Sequence, residues 1–156
     1  MARYNPNVIG SNAAILLLPK SDQRFIVGEP KTFARKKVED GIEKDIFGVS
    51  YGLRVKGGDY ADKTIPLQFY MHTEGGLGMA KQFVMAACGF EITPEAEAEF
   101  NSVYADADWS LDPETGELGD MWKKPAGAVV DASVDQKANR NNPAQMNQTF
   151  KWRPAK

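Results

Sequence analysis

A mainly antiparallel α+β domain is predicted for this chain of 156 residues, and three observations carry the prediction. Two long segments alternate apolar and polar side chains at period two, the pattern of half-buried strands. Two further segments show the spacing and the boundary residues of helices. These segments fall in the order three strands, a helical stretch, two strands.

Taken in chain order, Met1–Gly10 is polar, with turn chemistry at Asn5-Pro6-Asn7, and residues 1–12 are expected to form an arm. Ala13–Leu18 is apolar and short, a strand or one helical turn ended by Pro19. The run from Arg24 to Lys37 holds β-branched and aromatic residues broken by Gly28 and Pro30, which predicts a bent or edge strand. Asp40-Gly41 is a strong hairpin signal. The clearest strand is Ile46–Lys56. Phe47, Val49, Tyr51, Leu53 and Val55 occupy one face, and Gly48, Ser50, Gly52, Arg54 and Lys56 the other. After a turn at Gly57-Gly58-Asp59, Ile65, Leu67, Phe69 and Met71 alternate with Gln68, Tyr70 and His72 over Lys63–His72. The result is a three-strand antiparallel meander.

Gly75-Gly76 is expected to turn the chain into a helix over Leu77–Ala87, with Met79, Phe83, Val84 and Ala87 on its buried side and Gly89 as its stop. A second helix is predicted from Thr93 as N-cap and Pro94 at the first position to near Ala105; Glu95, Glu97 and Glu99 suit its amino-terminal half through the dipole. An acidic loop follows, and it reads as a hairpin turning at Asp112–Gly116. Ala128, Val130, Ala132 and Val134 alternate with Val129, Asp131, Ser133 and Asp135 as a fourth strand, residues 139–148 read as a linker, and Thr149–Arg153 makes a short last strand. This succession fits a five-stranded oligonucleotide/oligosaccharide-binding (OB) barrel, with the helical segment between strands three and four. Residues 13–156 would form that domain, with an acidic insert at about 91–120.

Several classes are disfavoured by composition. No apolar run approaches the ~20 residues of a membrane-spanning helix, and the amino end lacks the pattern of a secretory signal. A cytoplasmic location is expected, and the single cysteine, Cys88, fits a reducing compartment. One cysteine and one histidine, His72, make structural zinc and histidine-based catalysis unfavourable. No metal, cofactor or catalytic residue is expected, and the chain is read as a non-enzyme. The net charge of −2 hides a partition. Residues 1–70 carry 11 basic and 8 acidic side chains, residues 71–120 carry 1 and 11, and residues 121–156 carry 7 and 2, giving +3, −10 and +5. Such asymmetry fits a polyanion-binding surface with the acidic block turned elsewhere, and equally a plain solvated block.

The cations and rings of the basic flanks are the first candidate site. Single-stranded nucleic acid needs cations along its phosphates and ring faces for its bases. Arg35, Lys36, Lys37, Arg54, Lys56, Lys137, Arg140 and Arg153 supply the former, and Tyr60, Tyr70 and Trp152 are the favoured rings. Arg24, Phe25 and Tyr51 belong to the same set, although Tyr51 falls on an apolar face and most large rings are core. Small residues at Gly48, Ser50 and Gly52 would let a strand or base approach the sheet. A second candidate, Asp106, Asp108, Ser110 and Glu117, has EF-hand spacing but Leu111 where the loop needs glycine. Asp106, Asp108 and Glu117 could alternatively serve a metal-dependent nuclease. The third, Gly75 to Lys81, fails both the dinucleotide and the P-loop patterns.

The succession GVSYGLRVKGGDYADKTIPLQFY, a helix ending AACGF, then W-x-x-P-A-G-A-V-V-D-A-S-V and a final F-x-W-R-P strand resembles the OB-fold single-stranded-DNA-binding proteins of bacteriophage replication modules, over roughly Lys31–Pro154. The resemblance implies a non-catalytic binder of single-stranded DNA in phage replication or recombination, acting in the cytoplasm of an infected bacterium. It implies contacts at Arg54, Lys56, Tyr60 and Tyr70, with phage or host replication proteins as further partners and a homo-oligomer allowed. Many such proteins end in an acidic tail, whereas this chain ends Lys151-Trp152-Arg153-Pro154-Ala155-Lys156. The internal acidic block is the only substitute, and an alternative reading makes the chain an interaction or virion assembly module that docks a basic partner through it.

Overall fold

The computed structural model describes residues 18–138 and 146–155. The arm, the run from Ala13 to Leu17, and Arg140 lie outside them. Among the described residues, six strands form one antiparallel sheet: β1 (Ser21–Val27), β2 (Lys31–Glu39), β3 (Ile42–Val55), β4 (Thr64–Tyr70), β5 (Val129–Ala138) and β6 (Met146–Pro154). Between β4 and β5 come α1 (Glu74–Ala87), α2 (Pro94–Val103) and the single turn α3 (Asp120–Lys123). Among the described residues, no helix is long and apolar enough to cross a membrane.

β3 organises the sheet. One of its edges pairs first with β2, from Ile42 to Ser50, and then with β1, from Leu53 to Val55. The other edge pairs with β4, from Gly48 to Arg54. β1 also pairs with β5, which pairs with β6. The expected bent strand is thus two strands sharing one edge of β3. Gly28 and Pro30 make the break: Gly28 donates to the Gly52 carbonyl at 2.7 Å, and proline has no N–H to continue the ladder. The hairpin between β2 and β3 turns at Asp40 (φ 52°) and Gly41 (φ 77°), the left-handed pair that a two-residue loop requires.

Where a five-stranded barrel is expected, the described residues form a mainly antiparallel sheet of six strands that does not close. α1 packs on β4, β5 and β6, and its Phe83 ring lies 5.4 Å from Phe69 of β4 and 4.9 Å from Trp152 of β6. A helix seated between two end strands holds them apart. The buried stripe of α1 is also corrected. Ala80, Phe83 and Val84 are buried, whereas Met79 is 62% exposed and Ala87 only half-buried. Gly75 and Gly76 are inside the helix, whose cap is Thr73, accepting from the Gly76 N–H at 3.2 Å. Gly76 is required there, because a Cβ would stand 1.6 Å from the Tyr70 carbonyl oxygen. α2 has the predicted cap, Thr93 accepting from the Ala96 N–H. The acidic loop folds as a hairpin, with Leu111 bridged to Leu118 and Asp112 bonded to Glu117 and Gly116. The last strand begins earlier than expected, at Met146, and pairs with β5 along its whole length.

Cross-strand partners share a face of a sheet, so the registers sort the side chains into two sets. Phe25, Val49, Tyr51, Leu53, Ile65, Phe69, Val130, Ala132 and Trp152 point inward and are buried. The helical layer covers this inner face: Phe83 lies 5.0 Å from Tyr51, and the Tyr51 hydroxyl donates to the Trp122 carbonyl.

Candidate nucleic-acid interface

On the outer face, Gly48 is the centre of a small constellation. It lies opposite Phe33 of β2 on one side and Tyr70 of β4 on the other. A Cβ at residue 48 would stand 1.9 Å from the Phe69 carbonyl oxygen and 3.1 Å from Phe33 Cε1, so only glycine lets β4 and the Phe33 ring close over it. Phe33 and Tyr70 meet edge to face at 5.6 Å. The Arg35 guanidinium lies 5.3 Å from the Phe33 ring centre and 5.7 Å from that of Tyr70, and it donates to the Tyr70 hydroxyl at 3.1 Å. His72 extends the row, 5.9 Å from Tyr70 and 6.2 Å from Phe47.

From Gly48 the outer face of β3 runs through Ser50 and Gly52 to Arg54, about 20 Å at the rise of an extended strand. Beyond Arg54 a cleft of about 520 Å³ brings Lys56 and Tyr60 together with Arg24 and the Gly57-Gly58 turn. A cationic and aromatic cluster therefore stands at one end of a track floored by small residues, and at the other a cleft of mixed charge, where Arg24 and Lys56 are accompanied by Asp22 and Asp59 and Arg24 is bonded to Asp131 at 2.7 Å. Arg54 bonds Asp62 at 3.2 Å, an exposed pair worth ~1 kcal/mol or less, so a phosphate can compete for it.

The other expected residues are distributed by strand alternation. Lys37 shares the outer face with Arg35, but Lys36 points to the opposite face and bonds Glu43 at 3.0 Å. Lys137 and Arg153 are on the outer face of β5 and β6, away from the Gly48 cluster. Arg153 is bonded to Asp22 and to the Ser133 hydroxyl, and these two partners hold the Asp22 carboxyl below its usual range, Ser133 first and Arg153 second. Trp152 is corrected: its ring is 7% exposed, stacked on Phe150 at 4.8 Å and packed on Phe25 and Phe83, so it offers no face to a base. Phe25 and Tyr51 are likewise core. The ring that sequence reasoning overlooked is Phe33. Its signal was present in the strand pattern, since Phe33 and Arg35 are two residues apart on β2.

Charge separates by side of the sheet. The described strands place Arg24, Lys31, Arg35, Lys37, Lys44, Arg54, Lys137, Lys151 and Arg153 on the outer face, against Asp22, Glu39, Asp131 and Asp135. Segment 71–120, with its charge of −10, packs on the inner side. Even the acidic hairpin stays there, with Gly116 beside the inward-facing Thr32. Within that hairpin Asp108 and Asp112 hold the loop itself. Asp108 accepts from the Ser110 N–H and Asp112 from the Glu114 N–H, both at 2.9 Å; the Ser110 hydroxyl first and its N–H second hold the Asp108 carboxyl below its usual range, and the Glu114 N–H does the same for Asp112. Among the described residues, no three His, Cys, Asp or Glu side chains converge on a point where they could hold a metal ion.

The fold and this face define a class: a mainly antiparallel α+β domain with a cationic, ring-bearing sheet face and an acidic helical layer behind it. Compared with protein-family models and with curated proteins, the sequence matches none.

Proposed function

We propose that the chain binds single-stranded DNA, without catalysis, along the outer face of β2, β3 and β4, as an OB-type accessory of phage DNA replication or recombination. The observation that carries the reading is the Phe33, Arg35 and Tyr70 cluster around Gly48, set on the same face as Arg54, with Lys56 and the partly buried Tyr60 just beyond the end of β3. The exposed Tyr70 ring and the half-buried Phe33 ring give bases a stacking surface, and the cations along the track meet the phosphates. The connectivity supports an OB reading as well. With β1 and β2 taken as one bent strand, the pairing order is third, second, first, fourth, fifth, which is an OB barrel opened at the third-to-fifth seam. In that fold the ligand face is formed by the second and third strands, here β3 and β4.

The test is fluorescence anisotropy of a labelled oligothymidine across a salt series. Affinity is expected to fall log-linearly with salt as counterions are released. Phe33→Ala and Tyr70→Ala are each expected to weaken binding about tenfold or more, the worth of one stacked base. Absence of binding at low salt, or wild-type affinity in both variants, would overturn the reading.

A further inference from the structure

The helical layer carries a groove that the nucleic-acid reading does not use. It is a cleft of about 440 Å³ between α1 and α2, lined by Leu77, Lys81, Phe100, Asn101, Tyr104 and Trp109. Its character is apolar. Leu77 is 50% exposed, Phe100 closes the floor, and the rings of Tyr104 and Trp109 lie 4.9 and 6.4 Å from that of Phe100. The clefts beside β1 are instead lined by serine, aspartate and lysine.

From this groove we infer a docking site for a basic peptide segment of a partner protein, one that presents an apolar side chain between flanking cations. The occupant's chemistry follows from charge. The groove lies within the segment of 11 carboxylates, whose one basic residue, Lys81, is neutralised by Glu97 at 2.9 Å. A field of this sign repels a phosphate backbone and attracts lysine and arginine. The rings suit the same ligand. Lys124 of this chain already places its ammonium 5.3 Å from the Tyr104 ring centre, a cation–π contact made at the edge of the groove. Apolar anchors therefore find their complement in the lining, which carries no carboxylate, and flanking cations find theirs in the acidic segment around it, to which Glu97 belongs, as amphipathic segments do in grooves elsewhere. Because α1, which forms one wall of the groove, packs on the inner side of the sheet, the peptide and an oligonucleotide on the outer face do not compete.

The probe is a labelled model peptide of alternating leucine and lysine turns, with a leucine–glutamate peptide and an oligolysine of equal length as comparisons. Binding is expected for the leucine–lysine peptide only. Trp109 reports it, because Trp122 and Trp152 are 1% and 7% exposed and Trp109 is the half-buried indole of the three. Leu77→Lys and Asn101→Arg, both at exposed positions, are expected to weaken the peptide about tenfold while leaving oligothymidine affinity within twofold. Equal binding of oligolysine would reduce the site to a diffuse field and overturn the inference. So would binding of the leucine–glutamate peptide, or undiminished affinity in both variants. Loss of DNA binding alone leaves this result unaffected, so the two readings fail separately.

Discussion

The sharpest demands fall on single residues. Gly48→Ala forces a methyl group against the Phe69 carbonyl and the Phe33 ring, so β3 and β4 must part. The expected cost is about 1–3 kcal/mol, the range for overpacking, read as a lower urea midpoint, whereas Gly58→Ala meets no atom within 4 Å and loses only what its positive φ imposes. Two buried or half-buried acids act on pH. Burial pushes the Tyr51 phenol and the Cys88 thiol above their ordinary ranges. A raised folded-state value means that the unfolded chain gives up its proton first. Stability is therefore complete below the unfolded values and declines as pH rises past about 9, and urea midpoints measured from pH 7 to 10.5 should fall accordingly. A flat profile would show that neither group is as sheltered as its packing implies. Much at this scale was legible: the inward set Val49, Tyr51, Leu53 and Val55 is plain from alternation alone. Phe33 was legible in part, by its spacing from Arg35, but its meeting with Tyr70 was not, and neither was the burial of Trp152, because what a ring faces depends on which strand lies beside it. Trp152 is covered by Phe83, 69 residues earlier in the chain, and no local pattern encodes that contact.

Secondary-structure elements obey the same division between local and distant causes. Both main helices begin at a threonine whose hydroxyl oxygen accepts from an N–H of the first turn, at Gly76 and at Ala96. Thr73→Ala and Thr93→Ala are each expected to cost about 1 kcal/mol. Phe83→Ala is different in kind. It removes the ring that touches β3, β4 and β6 together, and a loss of about 3–5 kcal/mol is expected in equilibrium unfolding. If Phe83→Ala proved as mild as the cap variants, α1 would not be what holds β4 and β6 in place. The α2 cap, the Asp40-Gly41 hairpin and the two central strands were all readable, since each depends on residues within a few positions. The split of the bent strand and the extra length of β6 were less so. Pairing with β5 extends β6 through Met146, Asn147 and Gln148, the end of a run whose turn-like composition pointed the other way.

For the whole molecule, the net charge of −2 is the sum of two unlike sides. The sequence shows the partition, but only the registers show that the −10 segment lies behind the sheet and not along it. One consequence is a pH limit on the acid side. Asp22, Glu39, Asp108 and Asp112 all have carboxyl values held below the ordinary range by hydrogen bonds, from Ser133, Lys37, Ser110 and Glu114 respectively. Their contribution is present above about pH 4 and is lost as pH falls through the lowered folded values. Circular dichroism should show a fold that holds at pH 5 and weakens below pH 4.

The run Arg35-Lys36-Lys37 bears on solubility as well as on ligands. Among the described residues β2 pairs only with β3, so its far edge offers nine residues of backbone to any passing strand. Bare edges of that length template fibrils, and lysines set along them are a common guard. The three cations alternate across both faces of this edge, and Val38, 66% exposed, follows directly behind them. Neutralising all three would leave a smooth, apolar-tipped strand free to recruit its own kind, so Arg35, which meets phosphate in our reading, also helps with Lys36 and Lys37 to keep one copy of the protein from joining the next.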